Sequence, residues 1–184
     1  TRQDLNKISE FKFDFYDRIT TGAGGAVCSA DEKLAHRVKH YANNCKVLTG
    51  QQMSHDDVGF NYRMPGLNAA LGISQLKKMP AFLYAKSQIS GLYKSYFEGT
   101  LASPIVSASE SEPNHWLNAV LLPSKEWRDV FIDACITNNI GVRPLWRLMP
   151  SLPMFSKSIV DDQANSKEFE ERVVCLPSSS SLFN

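Results

Sequence analysis

The sequence lacks the features of membrane, secreted and nucleic-acid-binding proteins. No uninterrupted apolar run approaches the roughly 20 residues that a membrane-spanning helix needs, and the first residues carry charges where a secretory signal would be apolar. Neither sign of charge is in excess, because 20 Lys and Arg residues oppose 19 Asp and Glu residues and leave a net charge of +1. We therefore expect no membrane span, no general affinity for nucleic acid and a cytoplasmic location.

Cysteine is sparse, and its spacing does not predict a metal centre. No CxxC pair is present, although zinc ligands often come in such pairs. We interpret the cysteines as reduced structural thiols. His36 and His40 are four residues apart and could share a metal ion, but no third ligand is evident near them, so we interpret both as surface histidines. The four cysteines are Cys28, Cys45, Cys135 and Cys175.

The composition is that of a globular protein with a sizeable core. Of the 184 residues, 43% are hydrophobic and 21% are charged, which permits a core without disulfides. Residues 11–15 alternate between aromatic and polar and predict a strand. Residues 19–28 contain three closely spaced glycines and predict a hairpin turn, since glycine tolerates positive φ. A Walker-type phosphate loop is not indicated, because Ala26 and Val27 stand where Lys and Ser or Thr would be needed.

Three helices are predicted in the first hundred residues. The spacing of Ser29 and Glu32 is typical of a capping box, so we expect a helix from about residue 30. Residues 43–52 are expected to form an irregular polar connection. A helix over residues 67–79 is apolar on several faces and is therefore expected to be buried. We expect Pro80 to separate it from a further helix that ends near residue 99.

Residues 103–113 are rich in Ser, Glu and Pro and predict a loop. Short strands and helices alternate after it, so we place a subdomain boundary there. A buried strand is predicted over residues 116–122, followed by a helix that Ser124 caps and residues 138–141 end. The pattern predicts a small α+β unit with about three strands. Its other predicted elements are strands over residues 142–146 and 172–175 and a helix over residues 165–171.

Several motifs resemble those of the DegT-type sugar-nucleotide aminotransferases in both order and spacing. The first are ITTGAGGAV (residues 19–27), VGFNYRMP (residues 58–65) and NAALG (residues 68–72). Later motifs resemble the branch that aminates UDP-linked 4-keto-6-deoxy amino sugars for bacillosamine or legionaminic acid. These are WLNAVLL (residues 116–122), RPLWRLM (residues 143–149), LPMF (residues 152–155) and RVV (residues 172–174).

The resemblance implies a fold-type-I enzyme of mixed α/β class. Members of this family use pyridoxal phosphate (PLP), take an amino group from glutamate and form cytoplasmic homodimers, so we expect a homodimer here. By resemblance, residues 1–100 correspond to a remnant of the large domain, with a β hairpin and helices. Residues 101–184 correspond to the small C-terminal α/β domain.

The resemblance also shows that the family's catalytic lysine is replaced. In the family, this lysine stands three residues before the first Thr of the Thr-Thr-Gly motif, and its amine binds PLP covalently. Here that position is Asp17, and a carboxylate supplies no nucleophilic amine. Arg18 does not replace the lysine, because its guanidinium stays protonated and is a poor nucleophile. Lys12 lies five residues upstream in the predicted strand, and a shift of that size would turn its side chain to the opposite face of the sheet. We therefore expect no catalytic residue and no cofactor bound by the isolated chain.

Two residues of the family's cofactor site carry over by resemblance. The family's asparagine reaches across the dimer to the PLP phosphate of the partner subunit, and an arginine lies near the same cleft. By position these are Asn61 and Arg63. Because arginine suits bidentate phosphate contacts, we expect weak binding of phosphate or a sugar nucleotide. The alternative is a structural arginine bonded to backbone carbonyls at the start of a helix.

The resemblance covers only part of the family's length. The phosphate-binding turn, the ring that stacks on the cofactor and the aspartate that pairs with its ring nitrogen precede the matched part in the family. We therefore expect a truncated or degenerate C-terminal portion that cannot transaminate alone. Two alternatives stay open. The chain is half of a split enzyme completed by an N-terminal partner chain, or it is a non-catalytic dimerisation module.

Overall fold

The structure, a computed structural model, describes residues 19–183 and the backbone of residues 8–12. The chain forms two compact units, Thr1–Met79 and Pro80–Asn184. Helices and antiparallel sheets are both present, so the prediction of a mixed α/β fold is confirmed. The division expected between residues 100 and 101 concerns the domains of the family's fold and stays a prediction.

Within its described residues, the first unit contains two antiparallel strand pairs, one complete helix and the start of a long helix. Strand β1 pairs with β2, and β3 pairs with β4. The elements are β1 (Ile8–Lys12), β2 (Gly25–Ser29), α1 (Glu32–Tyr41), β3 (Lys46–Thr49), β4 (Gln52–His55) and α2 (Gly66–Phe97), which continues into the second unit.

Strand β2 lies at the end of the glycine-rich segment and pairs with β1, so the hairpin predicted within residues 19–28 is not formed by two strands of that segment. Gly22 and Gly24 have φ values of 80° and 111°. Residues with a Cβ rarely adopt such positive φ values. The strand predicted over residues 11–15 is described only at residues 11 and 12, which lie in β1. Its Phe13 and Phe15 lie outside the described residues.

The predicted start of α1 is wrong by two residues. Asp31 is the N-cap, and its carboxylate accepts a hydrogen bond of 3.2 Å from the Leu34 amide. The Ser29 hydroxyl accepts instead from the Asp31 amide at 3.0 Å. The helix begins at Glu32 because an Asp carboxylate is as good an N-cap acceptor as a Ser hydroxyl and stands closer to the apolar repeat.

The polar connection predicted over residues 43–52 is also wrong, because β3 and β4 form a hairpin there. Gly50 takes a φ of 66° in the turn between them. All four side chains of β4 are exposed, and only one residue of β3 is half-buried. A strand pair without a buried face shows no alternation of apolar and polar residues, which explains why the pattern did not predict it.

Helix α2 is continuous through Pro80, so the two separate helices predicted here are one. Proline lacks the amide proton that would reach the carbonyl of Leu76, and this removes one hydrogen bond of the helix without ending it. The expected burial of residues 67–79 is wrong as well, since Leu67 is 84% exposed and Ile73 is 59% exposed. None of the helices in the described part of the chain is long and apolar enough to cross a membrane.

The second unit is built on a four-stranded antiparallel sheet with the order β5-β6-β8-β7. The prediction of about three strands missed the edge strand β5, which has two residues, one of them proline. The elements are β5 (Ser103–Pro104), β6 (Asn118–Leu121), α3 (Lys125–Thr137), β7 (Arg143–Pro144), α4 (Ala164–Arg172), β8 (Val173–Leu176) and short 3₁₀ turns at Met149–Ser151, Pro153–Phe155 and Ser180–Phe183.

The core of the second unit lies on β6 and β8, beside the end of α2. Every residue of β8 is buried. The predicted limits of α3 are confirmed, because the Ser124 hydroxyl accepts from the Trp127 amide and Asn138 is the C-cap. The buried cluster consists of Phe97, Val120, Leu122, Val174 and Leu176.

Candidate functional site

The segment that carries Asn61 and Arg63 is held against the C-terminal end of α1. The Phe60 amide donates to the Tyr41 carbonyl at 2.7 Å, and the Tyr62 amide donates to the Ala42 carbonyl at 3.0 Å. Asn61 also forms a β-bridge with Asn43. These backbone bonds make residues 59–63 an extended segment with a fixed register.

Alternate side chains of this segment have different surroundings. The rings of Phe60 and Tyr62 stack with their centroids 5.2 Å apart and their planes at 12°. Because side chains alternate along an extended segment, Asn61 and Arg63 share the other face, and both are exposed. Alternation thus puts Asn61 and Arg63 on the same side of the segment, but of the two only Arg63 lines a depression of the surface.

Arg63 borders a depression of about 500 Å³. The depression is also lined by Lys39, Ala42 and Asn43. Among the described residues, this lining offers a guanidinium, an ammonium and an amide, and no carboxylate. Such donors suit an anion with several oxygens, such as a phosphate.

The loop that enters this segment is fixed by Asp57. Its carboxylate accepts from the Tyr41 hydroxyl at 2.6 Å and from the Val58 amide at 2.7 Å. These two hydrogen bonds lower the pKa of Asp57, while the hydrogen bond to the carboxylate raises the pKa of Tyr41. Gly59 follows, and a Cβ there would clash with the backbone of Asn44, so only glycine permits this close approach.

The Thr-Thr-Gly motif is joined to the start of α2. The Thr20 hydroxyl accepts from the Gly22 amide at 2.9 Å, and the Asn68 side-chain amide donates to the Thr21 carbonyl at 2.5 Å. Two motifs that the sequence separates by more than 40 residues are therefore in direct contact. Asp17, at the position of the family's lysine, lies outside the described residues.

A buried lysine in the second unit was missed by the sequence analysis. Lys86 is only 7% exposed, and its Nζ donates to the Ser178 carbonyl at 2.6 Å and to the Trp116 carbonyl at 3.4 Å. It stands four residues after Phe82 and three before Ile89, on the apolar face of α2. The sequence signal for such a residue is a lysine on the apolar face of a helix. It indicates a buried ammonium that is hydrogen-bonded, because burying an ammonium without partners is costly.

Two of the later motifs also meet in the second unit. The indole rings of Trp116 and Trp146 lie 6.2 Å apart at an angle of 32°. Trp116 lies just before β6 and Trp146 just after β7, and these two strands flank the buried strand β8 on either side. The pattern WLNAVLL and the pattern RPLWRLM thus belong to one sheet, as expected for parts of one domain.

Comparison with known proteins places the chain in a family. Residues 4–184 match the DegT/DnrJ/EryC1/StrS aminotransferase family. The chain belongs to this family. The curated relatives include GDP-perosamine synthase of Escherichia coli O157:H7, which is 29% identical over 177 residues, 96% of this chain and 48% of the relative. They also include the UDP-4-amino-4,6-dideoxy-N-acetyl-beta-L-altrosamine transaminase of Campylobacter jejuni subsp. jejuni serotype O:2, which is 34% identical over 93 residues, 50% of this chain and 24% of the relative.

Solved structures of family members share the fold. Helicobacter pylori PseC, an aminotransferase involved in the biosynthesis of pseudoaminic acid, matches 95% of this chain and 48% of its own with a TM-score of 0.85 and 19% identity. The predicted family and its fold-type-I fold are thereby confirmed. The chain spans about half the length of the curated relatives that it matches over most of its sequence.

The donors around Arg63 fit one end of the family's cofactor. Lys39, Asn43 and Arg63 could hold the phosphate of PLP, since all three offer hydrogen-bond donors around a space of sufficient volume. Among the described residues that line the depression, none would pair with the ring nitrogen of PLP. The lining residues of this depression therefore fit the phosphate group of PLP and not its ring.

Proposed function

We propose that this chain contributes to a PLP-dependent sugar-nucleotide aminotransferase and does not transfer amino groups by itself. The observation that carries the proposal is Asp17, which occupies the position of the family's lysine. A carboxylate cannot bind the aldehyde of PLP covalently as an amine does. The chain's contribution is then to binding and positioning.

Asn61 and Arg63 carry that contribution in the first unit. They share one face of an extended segment, so both could contact one phosphate at the same time. PLP, when bound, supplies the electron sink for the chemistry. Arg63 would hold its phosphate through two parallel hydrogen bonds, and Lys39 would add positive charge to the same site. In the proposed assembly the phosphate belongs to a cofactor held by another subunit.

The proposed substrate is a nucleotide-linked 4-keto-6-deoxy amino sugar. The motifs of residues 116–122 and 143–149 resemble the branch that acts on UDP-linked sugars, whereas the relatives carry names of both GDP-linked and UDP-linked products. The family as a whole supports the broader class, and the UDP-linked sugar is the narrower proposal. A cytoplasmic location, where such nucleotides are made, is part of it.

The active assembly is proposed to need a second chain. Large apolar side chains in the first unit are exposed, among them Tyr62 at 76% and Leu67 at 84%, and monomers rarely leave many such residues uncovered. A homodimer is the simplest closed assembly. A partner chain that supplies the family's cofactor-binding segment is the alternative, and a non-catalytic dimerisation module is the third possibility.

Complementation tests the proposal. The chain is assayed for glutamate-dependent amination of a UDP-linked 4-keto-6-deoxy amino sugar, alone and mixed with an N-terminal fragment of a family member. We expect no activity from the wild-type chain or from Asp17→Lys alone, and activity from Asp17→Lys in the mixture. Adding Arg63→Ala should lower that activity at least tenfold, since a charged hydrogen bond is worth about 1.5–3 kcal/mol. The matched control Lys33→Ala, on the exposed side of α1, should leave it unchanged.

The outcomes separate the three possibilities. Activity of the wild-type chain alone would overturn the proposal, because it would show that a catalytic amine is present although position 17 is Asp. Activity of Asp17→Lys alone would show that the second chain is not needed. A dimer that stays inactive in every mixture would favour the dimerisation module.

A further inference from the structure

Three potential metal ligands of different chemistry converge in the first unit. They are the imidazole of His40, the thiol of Cys45 and the carboxylate of Asp56, and one ligand atom of each lies within 4.8 Å of the other two. His40 Nε2 and Asp56 Oδ1 are 2.6 Å apart. The three residues come from the last turn of α1, from the turn that follows it and from the position after β4.

Backbone hydrogen bonds hold these three residues in a fixed arrangement. The Cys45 amide donates to the His40 carbonyl at 3.0 Å, and the Asp56 amide donates to the Cys45 carbonyl at 3.2 Å. Asn44 and Cys45 both have positive φ values, 59° and 49°. Consecutive left-handed residues that are not glycine are uncommon, and the second of them, Cys45, is fully buried.

The geometry points to a site for a divalent transition-metal ion, and we infer that His40, Cys45 and Asp56 bind Zn²⁺. Imidazole, thiolate and carboxylate are the three ligand types of zinc sites. Tetrahedral zinc with its usual bond lengths places neighbouring ligand atoms roughly 3.3–3.7 Å apart. His40 Nε2 and Asp56 Oδ1, now 2.6 Å apart, would separate by roughly 1 Å to bind one ion, and the Cys45 thiol lies within 4.8 Å of both.

The ligand set selects among metals. Mg²⁺ and Ca²⁺ prefer sites made of oxygen atoms, so the buried thiol disfavours them. A thiolate with an imidazole suits Zn²⁺ and the spectroscopically visible Co²⁺. The charges also favour a cation, since the carboxylates of Asp56 and Asp57 both lie near the Cys45 thiol.

Three protein ligands leave one coordination position for solvent. Asp57 is not one of the three converging ligands, and its two oxygens accept from the Tyr41 hydroxyl and the Val58 amide. The side chains of His40 and Asp56 are 32% and 53% exposed, so the open position faces water. A metal ion there would join the end of α1 to the end of β4, directly before residues 59–63.

Metal titration of the full chain tests this inference. The reduced chain is freed of metal with a chelator and titrated with CoCl₂ and with ZnCl₂. We expect one ion per chain, a thiolate-to-cobalt charge-transfer band with the visible bands of tetrahedral Co²⁺, and a higher melting temperature with Zn²⁺. Cys45→Ala and Asp56→Asn should each weaken binding at least tenfold. Cys28→Ala removes an exposed thiol and should bind as the wild type does.

Two results would overturn the inference. The first is a wild-type chain that shows no charge-transfer band with Co²⁺, a result that does not depend on the folding of any variant. The second is metal binding that Cys28→Ala abolishes and Cys45→Ala preserves, because the binding thiol would then be the exposed one. Circular dichroism of each variant checks that it is folded before the affinities are compared.

Discussion

The side-chain amide of Asn68 donates a hydrogen bond of 2.5 Å to the carbonyl oxygen of Thr21. Thr21 is 2% exposed, so this carbonyl has little access to water. The hydroxyl of Thr21 donates to the Ala23 carbonyl at 2.5 Å. The glycine-rich loop is therefore held on the first turn of α2 by a partly buried contact between two motifs of the family.

Replacing Asn68 should destabilise the first unit. In Asn68→Ala the Thr21 carbonyl stays buried and loses its donor, which costs about 1–3 kcal/mol of unfolding free energy. Urea unfolding followed by circular dichroism measures the loss. Ser74→Ala, at an exposed position of the same helix, is the control and should change the stability by less than about 0.5 kcal/mol. Equal stability of Asn68→Ala and Ser74→Ala would contradict the contact.

Alanine at Gly72 should destabilise the protein although alanine favours helices. A Cβ at Gly72 would lie 2.8 Å from the Thr21 methyl group, and overpacking of this kind costs about 1–3 kcal/mol. At Gly91, in the same helix, a Cβ meets nothing within 4 Å. Gly91→Ala should therefore stabilise the protein by about 0.4–1 kcal/mol. Urea unfolding of the two variants should give changes of opposite sign.

A second substitution isolates the cause of the Gly72 effect. Thr21→Ser removes the methyl group that the new Cβ would meet and keeps the hydroxyl. The cost of Gly72→Ala should then be smaller in the Thr21→Ser background than in the wild type, by about 0.5 kcal/mol or more. A cost that is the same in both backgrounds would assign the effect to something other than this contact.

The buried Lys86 should be important for the stability of the second unit. Lys86→Met keeps the aliphatic chain but removes the ammonium that donates to the Ser178 and Trp116 carbonyls. Because charged hydrogen bonds are worth about 1.5–3 kcal/mol, we expect a loss of about 2 kcal/mol or more. Thermal and urea unfolding measure it. Lys94→Met, two turns later on the exposed side of α2, should have little effect, and a similar loss there would contradict the specific role of Lys86.

Tyr93 should make the stability fall at alkaline pH. Burial raises the pKa of Tyr93, and its hydroxyl donates to the Pro177 carbonyl at 2.9 Å. The unfolded chain loses this proton first, so the contribution is complete below the unfolded pKa of about 10 and is lost as the pH rises through the folded pKa. Urea unfolding between about pH 9 and pH 11.5 should therefore show a steeper decline for the wild type than for Tyr93→Phe.

An exposed tyrosine on the same helix provides the control for the pH experiment. Tyr96 is 76% exposed, so Tyr96→Phe should retain the alkaline decline of the wild type. If Tyr93→Phe and Tyr96→Phe decline equally, the pH dependence has another source.

Elements with local chemical signals could be predicted from the sequence. Ser124 caps α3 as expected, and the left-handed Asn139, with a φ of 57°, lies just after the C-cap where the helix was expected to end. Signals with two candidate residues were less certain, since Ser29 and Asp31 both suit an N-cap and only the fold decides between them. Pro80 lies inside one continuous helix and does not separate two, because a proline weakens a helix without always ending it.

The two candidate sites also differ in how far the sequence alone could predict them. Asn61 and Arg63 stand in one short motif, so their shared face follows from the spacing of two residues in an extended segment. His40, Cys45 and Asp56 come from three elements, and their approach depends on a hairpin whose strands have no buried face. No spacing rule for metal ligands would have joined them.

The position of β8 in its sheet has a consequence for synthesis on the ribosome. This strand comes last of the four in the chain, yet it lies between β6 and β7 and pairs with both. Its partners in β6 are more than 50 residues away in sequence, and such non-local pairing slows folding. Until residue 176 has left the exit tunnel, β6 and β7 have no strand to join them, and the buried residues of β6, such as Val120, lack their partners in β8. The nascent chain is therefore most open to aggregation and to chaperones between the emergence of β6 and the emergence of β8 from the tunnel.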